Sequence, residues 1–162
     1  LEVGVSEGRS VVWMLENILT DPTVKVTAID TFPGSLRDKF LANVELSGSS
    51  EKVTTITNYS QLALRDLPLE SFDIIYIDGS HAKNDVLEDA VLSWRLLKED
   101  GLLIFDDYRY IGFNYENYGD TKYFPKIAVD VFVHCFEEYF EVIHNEYQLI
   151  LKRTAKKLKA EV

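Results

Sequence analysis

Hydrophobic and polar positions follow two rhythms along the chain, which predict short strands separated by longer helices. Runs rich in β-branched residues have the length of strands, and apolar residues three or four positions apart have the spacing of helices. The predicted strands are Leu1–Val5, Val24–Ile29, Lys52–Thr57, Phe72–Ile77 and Leu102–Phe105. The predicted helices are Ser10–Leu19, Ser35–Leu46, Asn84–Leu97 and a helix from Pro125 to about Tyr139.

The order of these elements predicts the fold class. Strands that alternate with helices over short connections form right-handed crossovers, which give a parallel sheet covered by helices on both faces. Phe140–His144 and Tyr147–Leu151 follow, and the Asn145-Glu146 pair between them is typical of a hairpin. We therefore predict one α/β domain over residues 1–152, a doubly wound, mostly parallel, seven-stranded sheet with an antiparallel C-terminal hairpin strand. Residues 153–162 are predicted to form a basic tail.

Composition and charge narrow the class of protein. The 162 residues suit one domain, and 46% hydrophobic with 27% charged residues is ordinary for a globular chain. A net charge of −10 disfavours nucleic acid or an anionic membrane as the main partner. The single cysteine, Cys135, cannot form an internal disulfide, so we expect a cytoplasmic location. The chain begins at Leu1 inside a predicted strand, with no targeting segment visible, so we expect a further segment upstream of it.

Polar residues collect where the predicted strands end. Ligands of parallel sheets bind beyond the carboxyl ends of the strands. Loops are polar in any protein, so one or two such residues would carry little meaning. Five strands in succession predict a binding site at this edge; the residues that close them are Glu2 with Gly4, Asp30, Asn58–Ser60, Asp78–His81 and Asp106–Asp107.

The loop Glu2-Val3-Gly4-Val5-Ser6-Glu7-Gly8 indicates which kind of ligand binds there. Its two glycines permit positive φ and close approach of the backbone. Its two glutamates would repel a pyrophosphate, which binds to bare backbone N–H groups, so the loop favours a cationic, phosphate-free ligand. Asp30 can accept hydrogen bonds from both hydroxyls of a ribose. Together these features favour a positively charged nucleoside; the alternative is a tight turn that binds no ligand.

These motifs resemble a known family over nearly the whole chain. The loop Glu2–Gly8 resembles the first motif of class I S-adenosylmethionine-dependent methyltransferases, although Ser6 replaces a glycine, and Asp30 falls at the ribose acid of that fold. Residues 77–81 (Ile-Asp-Gly-Ser-His) and 101–107 (Gly-Leu-Leu-Ile-Phe-Asp-Asp) resemble metal-dependent small-molecule O-methyltransferases, which include catechol, caffeoyl-CoA and macrolide-sugar enzymes. The resemblance implies a Rossmann-like fold with S-adenosylmethionine as cofactor. The implied cofactor-binding residues are Glu2, Gly4, Ser6, Gly8, Asp30, Phe32, Ser60 and Asp78.

Three carboxylates are predicted to lie side by side. Asp78 closes the fourth strand, Asp106 and Asp107 close the fifth, and one crossover helix separates them. Three carboxylates so close cannot all stay charged at low cost without a cation, and Mg²⁺ is the natural oxygen-liganded candidate. Because successive residues on a strand face opposite ways, Asp107 could instead cap a helix or lie in a loop. The resemblance implies that Asp78, Asp106 and Asp107 are all metal ligands.

His81 is the predicted general base, and Asp78 the second predicted catalytic residue. A divalent ion lowers the pKa of a substrate hydroxyl, and His81, three residues after Asp78, is placed to accept the proton. The macrolide-sugar enzymes have a histidine in this role, which supports the assignment. A helix cap or a packing contact with adenine is the alternative. For His134 and His144 we expect structural roles.

Two further residues have more than one possible role, and one segment is a candidate for the acceptor pocket. Ser60 could contact the adenine or cap a helix, and Phe32 could pack on the adenine or fill a loop. The segment Tyr108–Phe124 is long and has no clear period, and we predict that it forms a lid or a wall of the acceptor pocket. It contains Tyr108, Tyr110, Tyr115, Tyr118 and Tyr123, with Gly112, Asn114, Asn117 and Gly119.

The sequence therefore predicts an enzyme that moves a methyl group from S-adenosylmethionine to a hydroxyl of a small molecule, a sugar or a phenol. A divalent metal and His81 would assist it. The alternatives are a metal-independent methyltransferase of the same fold, a NAD(P)-binding Rossmann oxidoreductase, and a non-enzymatic module that binds the nucleoside. Glu7 and the absent middle glycine disfavour the oxidoreductase. The expected partner is a small hydroxylated acceptor, without nucleic acid or membrane, and a homo-oligomer is left open.

Overall fold

The elements of the fold are known from a computed structural model, which describes residues 1–111 and 121–155. The strands are β1 (Glu2–Val3), β2 (Val26–Asp30), β3 (Val53–Thr57), β4 (Phe72–Ile77), β5 (Leu97–Phe105), β6 (Phe140–Asn145) and β7 (Leu149–Arg153). The helices are α1 (Arg9–Asn17), α2 (Leu36–Leu46), the short α3 (Ser60–Ala63), α4 (Lys83–Leu96) and α5 (Pro125–Phe136). Within these described ranges no helix combines the length and the apolar character needed to cross a membrane.

The sheet has the strand order β3-β2-β1-β4-β5-β7-β6. Strands β1 to β5 are parallel, whereas β7 runs antiparallel to both of its neighbours, β5 and β6. The prediction of a doubly wound, mostly parallel seven-stranded sheet with an antiparallel hairpin is confirmed. The strand order reverses between β1 and β4, and in such sheets the crevice beyond this reversal is where ligands bind.

Helices cover both faces of the sheet because the strand side chains alternate in direction. On one face, α1 and α2 pack on Val26 and Ala28 of β2, with Phe40 fully buried between them. On the other face, α4 and α5 pack on the opposite side chains of β4, β5 and β7, such as Ile75 and Leu103. The two cores hold the strand ends in register at the edge that carries the polar residues.

Strand β5 is longer than the sequence pattern indicates. The pattern placed the end of the helix at Leu97 and the start of the strand at Leu102, with Asp100-Gly101 as the break. In the structure Leu97 is fully buried and already pairs with Phe72 of β4. Asp100 has a φ of +65°, and the register shifts between β4 and β5 at this point. The Asp-Gly pair is therefore an irregularity within the strand and not a boundary.

The C-terminal hairpin extends one residue past the predicted end of the domain. Arg153 belongs to β7, and its guanidinium lies 2.9 Å from the carboxylate of Glu70. The neighbouring Lys152 lies 2.8 Å from the carboxylate of Asp100. The predicted boundary between residues 152 and 153 thus falls inside a strand, because pairing with β6 continues through it. Residues 156–162 of the predicted tail lie outside the described part of the chain.

Candidate active site

The loop after β1 lies directly on the turn after β4. Gly4 has a φ of +84°, and a Cβ atom added there would come within 2.3 Å of the carbonyl oxygen of Asp78. Real Cβ atoms do not approach a backbone oxygen so closely, so only glycine allows this contact. The glycine predicted from the sequence thus brings the ends of β1 and β4 together.

Asp30 is held by two backbone donors at the end of β2. The N–H of Ser6 donates to one carboxylate oxygen at 2.8 Å, and the N–H of Phe32 donates to the other at 2.7 Å. Each oxygen of a carboxylate can accept a second hydrogen bond. The carboxylate therefore has a fixed orientation and keeps acceptor capacity for a ligand with two neighbouring hydroxyls.

A cleft of about 480 Å³ opens between the loops that follow β1, β2, β3 and β4. Its size is in the range of small-molecule and cofactor sites. Among the residues that line it are five of the predicted cofactor-binding residues: Gly4, Ser6, Asp30, Ser60 and Asp78. Ser60 is the first residue of α3, so it begins a helix without being its cap.

Three predicted cofactor-binding residues lie beneath the loops and do not line this cleft. Glu2 is completely buried and accepts a hydrogen bond from the Ser10 hydroxyl, while its other oxygen has no partner among the described residues. Burial raises the pKa of Glu2 to about 7. Phe32 packs on Phe40 at a centroid distance of 5.4 Å, and Gly8 lies against the same ring. All three therefore lie on the core side of the loops, and their contact with a cofactor stays a prediction.

A second group of polar side chains surrounds the end of β4. One ligand atom each of Asp78, His81 and Asp107 lies within 4.8 Å of the others, and all three side chains are half-buried. Nε2 of His81 is 2.5 Å from a carboxylate oxygen of Asp107. The Tyr147 hydroxyl donates to the other Asp107 oxygen at 2.6 Å, and the Tyr110 ring packs on His81 at 4.5 Å. We call Asp78, His81 and Asp107 the catalytic cluster.

The charges of this cluster act on one another. Burial, followed by the neighbouring carboxylates of Asp106 and Asp107, raises the pKa of Asp78 to about 7. The hydrogen bond with Asp107 raises the pKa of His81, and the same bond lowers the pKa of Asp107. A cation placed among these oxygens would favour the charged form of Asp78, since opposite charge at short distance counteracts burial.

Asp106 belongs to a separate hydrogen-bond network. One of its oxygens accepts hydrogen bonds from the Tyr76 hydroxyl and from the Gln148 side-chain amide. The predicted triad of Asp78, Asp106 and Asp107 lines one small cavity together with His81. Among the described residues, the ligand atoms that lie within 4.8 Å of one another are those of Asp78, His81 and Asp107. The assignment of the three acids as metal ligands stays a prediction. Asp106 and Asp107 lie in the turn after β5, where their side chains accept hydrogen bonds from different neighbours.

Three residues that the sequence pattern did not predict hold the two acids after β5, namely Tyr76, Tyr147 and Gln148. The pairing of β5 with β7 is the signal that could have identified Tyr147 and Gln148. Phe105, immediately before the acids, pairs with Leu149, so the turn that precedes β7 must lie beside Asp106 and Asp107. That pairing could not be read from the sequence before the strand order was known.

The two sites share a wall. A small cavity at the catalytic cluster and the cofactor cleft are both lined by Asp78, Gly79 and Ser80. Tyr108 also lines the small cavity, and its hydroxyl donates to Asp130 at 2.8 Å. The residues of the predicted acceptor wall that lie outside the described part of the chain are Gly112, Asn114, Tyr115, Asn117, Tyr118 and Gly119.

Comparison with known proteins decides the family. Residues 1–108, which include strands β1 to β5 and both Asp106 and Asp107, match a family described as "Methyltransferase domain". The chain belongs to this methyltransferase family. The prediction of a class I S-adenosylmethionine-dependent methyltransferase is thereby confirmed.

Relatives and solved structures agree with this assignment. A protein of Mycobacterium sp. (strain JLS), provisionally named an O-methyltransferase, is 31% identical over 104 residues. The match covers 64% of this methyltransferase and 46% of the relative, so the chain spans less than half the length of that curated relative.

Two solved structures show the same fold. A Klebsiella pneumoniae protein, also provisionally named an O-methyltransferase, gives a TM-score of 0.74 at 17% identity, over 95% of this chain and 72% of the other. The O-methyltransferase TomG from Streptomyces achromogenes, solved with S-adenosylmethionine, gives 0.71 at 16% identity, over 94% and 71%. At these identities the likeness establishes the fold, and the metal-dependent subgroup stays a prediction.

Proposed function

We propose that this methyltransferase transfers a methyl group from S-adenosylmethionine to a hydroxyl of a small molecule, with His81 as general base. The observation that carries the proposal is the common wall of Asp78, Gly79 and Ser80 between the cofactor cleft and the catalytic cluster. Methyl transfer is an in-line displacement, which needs the attacking oxygen close to the methyl carbon. Two adjoining sites at one sheet edge provide that proximity.

The cofactor half binds and orients the donor. Asp30, fixed by the N–H groups of Ser6 and Phe32, would accept hydrogen bonds from the two ribose hydroxyls. The backbone of the loop after β1 would approach the sulfonium end, because Gly4 adds no side chain there. The acidic character of this edge suits a cationic donor. TomG, which shares the fold, was solved with S-adenosylmethionine and supports this choice of ligand.

The catalytic half holds and moves a proton. Nε2 of His81 is engaged by Asp107, which orients the ring, so Nδ1 would accept the proton of the acceptor hydroxyl. Asp107 stabilises the imidazolium that results, and Tyr147 in turn holds Asp107. The Tyr110 ring, packed on His81, shields one face of the imidazole from water.

The residues of this half fit a divalent cation. Asp78 and Asp107 offer carboxylate oxygens within 4.8 Å of each other. Burial and the neighbouring carboxylates raise the pKa of Asp78, and a cation at this position would offset both effects. We propose these two acids as ligands. Asp106 lines the same small cavity, and its bonds with Tyr76 and Gln148 use only one of its oxygens, so we propose its second oxygen as a further ligand. A bound divalent ion would lower the pKa of an acceptor hydroxyl.

A metal-independent methyltransferase is the second candidate, and one observation favours it. His81, Asp107 and Tyr147 already form a connected hydrogen-bond chain that orients a base. Such a chain can activate a hydroxyl by proton transfer alone. The family assignment leaves the NAD(P)-dependent oxidoreductase with no supporting observation.

A methyl-transfer assay separates these candidates. Purified protein is given S-adenosylmethionine and a panel of sugars and phenols, with Mg²⁺ or with EDTA. We expect turnover in Mg²⁺, its loss in EDTA and its recovery with excess Mg²⁺. Equal turnover in EDTA would establish the metal-independent candidate. Calorimetry with S-adenosylhomocysteine tests the donor site, where Asp30→Ala should weaken binding and the exposed Asp38→Ala should not.

The remaining expectations belong to the same proposal. The family supports a small hydroxylated acceptor, and the single cysteine is the argument for a cytoplasmic location. The net charge of −10 supports the lack of a nucleic-acid or membrane partner. Co-purification of nucleic acid with the natural protein would contradict them.

A further inference from the structure

The turn between β4 and α4 carries His81 and is held by two side chains that take no part in the proton transfer. The Ser80 hydroxyl accepts a hydrogen bond from the Ala82 N–H at 3.1 Å, so this bond spans His81. The same hydroxyl donates to the Asp85 carboxylate at 2.7 Å. Ala82 is only 6% exposed, so its N–H depends on a partner within the protein. We call Ser80 and Asp85 the turn pair.

The turn pair differs from an ordinary helix cap. Asp85 is the third residue of α4, where an acidic side chain commonly accepts the N–H of the residue before the helix. That residue is Ala82, and its N–H donates to the Ser80 hydroxyl instead. Asp85 therefore acts on the turn through Ser80, while its other carboxylate oxygen accepts a hydrogen bond from Asn84 at 2.5 Å. A chain of three hydrogen bonds thus fixes the turn relative to α4.

The turn pair lies between the two halves of the proposed active site. Asp85 lines the cofactor cleft, His81 lines the small cavity at the catalytic cluster, and Ser80 lines both. Nε2 of His81 is 2.5 Å from Asp107, which is 26 residues away, so this contact depends on where the turn holds the histidine. Because a misplacement of about 1 Å can lower a rate by roughly a hundredfold, the conformation of this turn matters for catalysis.

Helix α2 begins with the same two residue types but lacks this arrangement. Ser35 precedes α2, and Asp38 is its third residue. Both residues are exposed, and among the described residues no side-chain hydrogen bond caps this helix. Neither residue lines the cofactor cleft. Ser35 and Asp38 are therefore matched controls for the general effect of a serine and an acid at the start of a helix.

We propose that Ser80 and Asp85 are positioning residues that hold His81 in place for proton transfer from the acceptor hydroxyl. This inference rests on the proposed function, since it assumes that His81 is the general base. The turn pair acts through the backbone on either side of His81 and accepts no proton itself. Asp85 fixes the orientation of the Ser80 hydroxyl, and that hydroxyl fixes the Ala82 N–H. The imidazole is thereby attached to a backbone that is ordered before the acceptor binds, as a catalytic base requires.

The test measures kcat for methyl transfer to the member of the sugar and phenol panel that the natural protein methylates fastest. We expect Ser80→Ala and Asp85→Ala each to lower kcat about tenfold, which is typical of losing one well-placed hydrogen bond. Ser80→Thr keeps the hydroxyl and Asp85→Asn keeps an acceptor oxygen, so both should keep most of the activity. The controls Ser35→Ala and Asp38→Ala should keep all of it.

Two further measurements separate positioning from general support of the fold. In a His81→Ala background, Ser80→Ala should lower kcat no further, because no base is left to position. A purely structural role would lower kcat by the same factor in both backgrounds. Amide hydrogen exchange at Ala82 should become about tenfold faster in Ser80→Ala and in Asp85→Ala, and should stay slow in Asp85→Asn.

The outcomes separate the two hypotheses. If the natural protein methylates no member of the panel, or if His81→Ala keeps its kcat, the proposed function is wrong and this inference fails with it. If His81→Ala loses activity but folded Ser80→Ala and Asp85→Ala keep it, only the inference is wrong. A loss of S-adenosylhomocysteine affinity as large as the loss of kcat would place the pair in the donor site and would also overturn the inference. Should Asp85→Ala not fold, the comparison of Ser80→Ala with Ser80→Thr decides.

Discussion

The cofactor cleft and the catalytic cluster are built by different means, although they share one wall. Asp30 is held by backbone N–H groups, one of them only two residues away. Asp107 is held by side chains 26 and 40 residues away, those of His81 and Tyr147. A backbone donor survives almost any change of side chain, whereas each contact in the cluster depends on one residue type. We therefore expect the cleft to fail through its backbone and the cluster through single side chains.

The largest effect should come from Gly4→Ala, because Gly4 lines the cofactor cleft and contacts the turn that carries Asp78 of the catalytic cluster. The added Cβ would stand 2.3 Å from the Asp78 carbonyl oxygen at a φ of +84°. Strain and overlap together should cost at least about 3 kcal/mol of unfolding free energy, with loss of donor binding and turnover. Gly34→Ala is the control, because its φ is +62° but no atom lies within 4 Å, so it should cost only about 1 kcal/mol. Equal denaturation midpoints for the two variants would contradict the close approach of the loops.

His81→Ala should break the cluster and spare the cleft. Loss of a general base typically lowers kcat by roughly 10²- to 10⁴-fold, and we expect S-adenosylhomocysteine affinity to change little. His134→Ala on α5, where the side chain is 85% exposed, serves as the control and should keep full turnover. A kcat close to that of the natural protein for His81→Ala would remove this residue from the mechanism.

Glu2→Gln tests the support beneath the cleft through pH. Burial raises the pKa of Glu2 to about 7 from 4.5, so protonation favours the folded state. The stability that this group contributes is complete below about pH 4.5 and is lost as pH rises through 7. The variant should thus match the natural protein at pH 4.5 and be more stable at pH 8, by on the order of 2 kcal/mol. Urea unfolding at pH 4.5 and at pH 8 measures this difference in the free energy of unfolding. The exposed Glu16→Gln should change the free energy of unfolding at neither pH. A Glu2→Gln variant that is less stable than the natural protein at pH 8 would contradict the argument.

The smallest effect is expected for Tyr147→Phe, which removes one hydrogen bond from Asp107. A single hydrogen bond contributes about 0.5–1.5 kcal/mol, so kcat should fall by roughly 2- to 10-fold with little change in thermal stability. Tyr139→Phe, at the far end of the hairpin, should leave kcat unchanged. If the two tyrosine variants behave alike, the hairpin does not support the cluster.

The sequence predictions agree with the structure better in the cofactor cleft than in the catalytic cluster. Gly4 and Asp30 were predicted from a local motif, and the structure places both at the cleft. Glu2 is close to Gly4 in sequence and Phe32 is close to Asp30, but the side chains of Glu2 and Phe32 are buried. Neighbouring side chains of one loop can face either the core or the cleft. Asp106 and Asp107 were both predicted as metal ligands, with a cap or loop role as the alternative for Asp107, and in the structure they enter different hydrogen-bond networks.

The alternation of strands and helices, the glycine loop and the acids at the strand ends were determined by the amino-acid sequence alone. These features depend on periodicity and on backbone conformation, which act over a few residues. The tertiary structure alone decided that His81 contacts Asp107 and that the hairpin turn supplies Tyr147 to Asp107 and Gln148 to Asp106. Those contacts join residues that are up to 42 positions apart, so they exist only once the strand order brings the strand ends together.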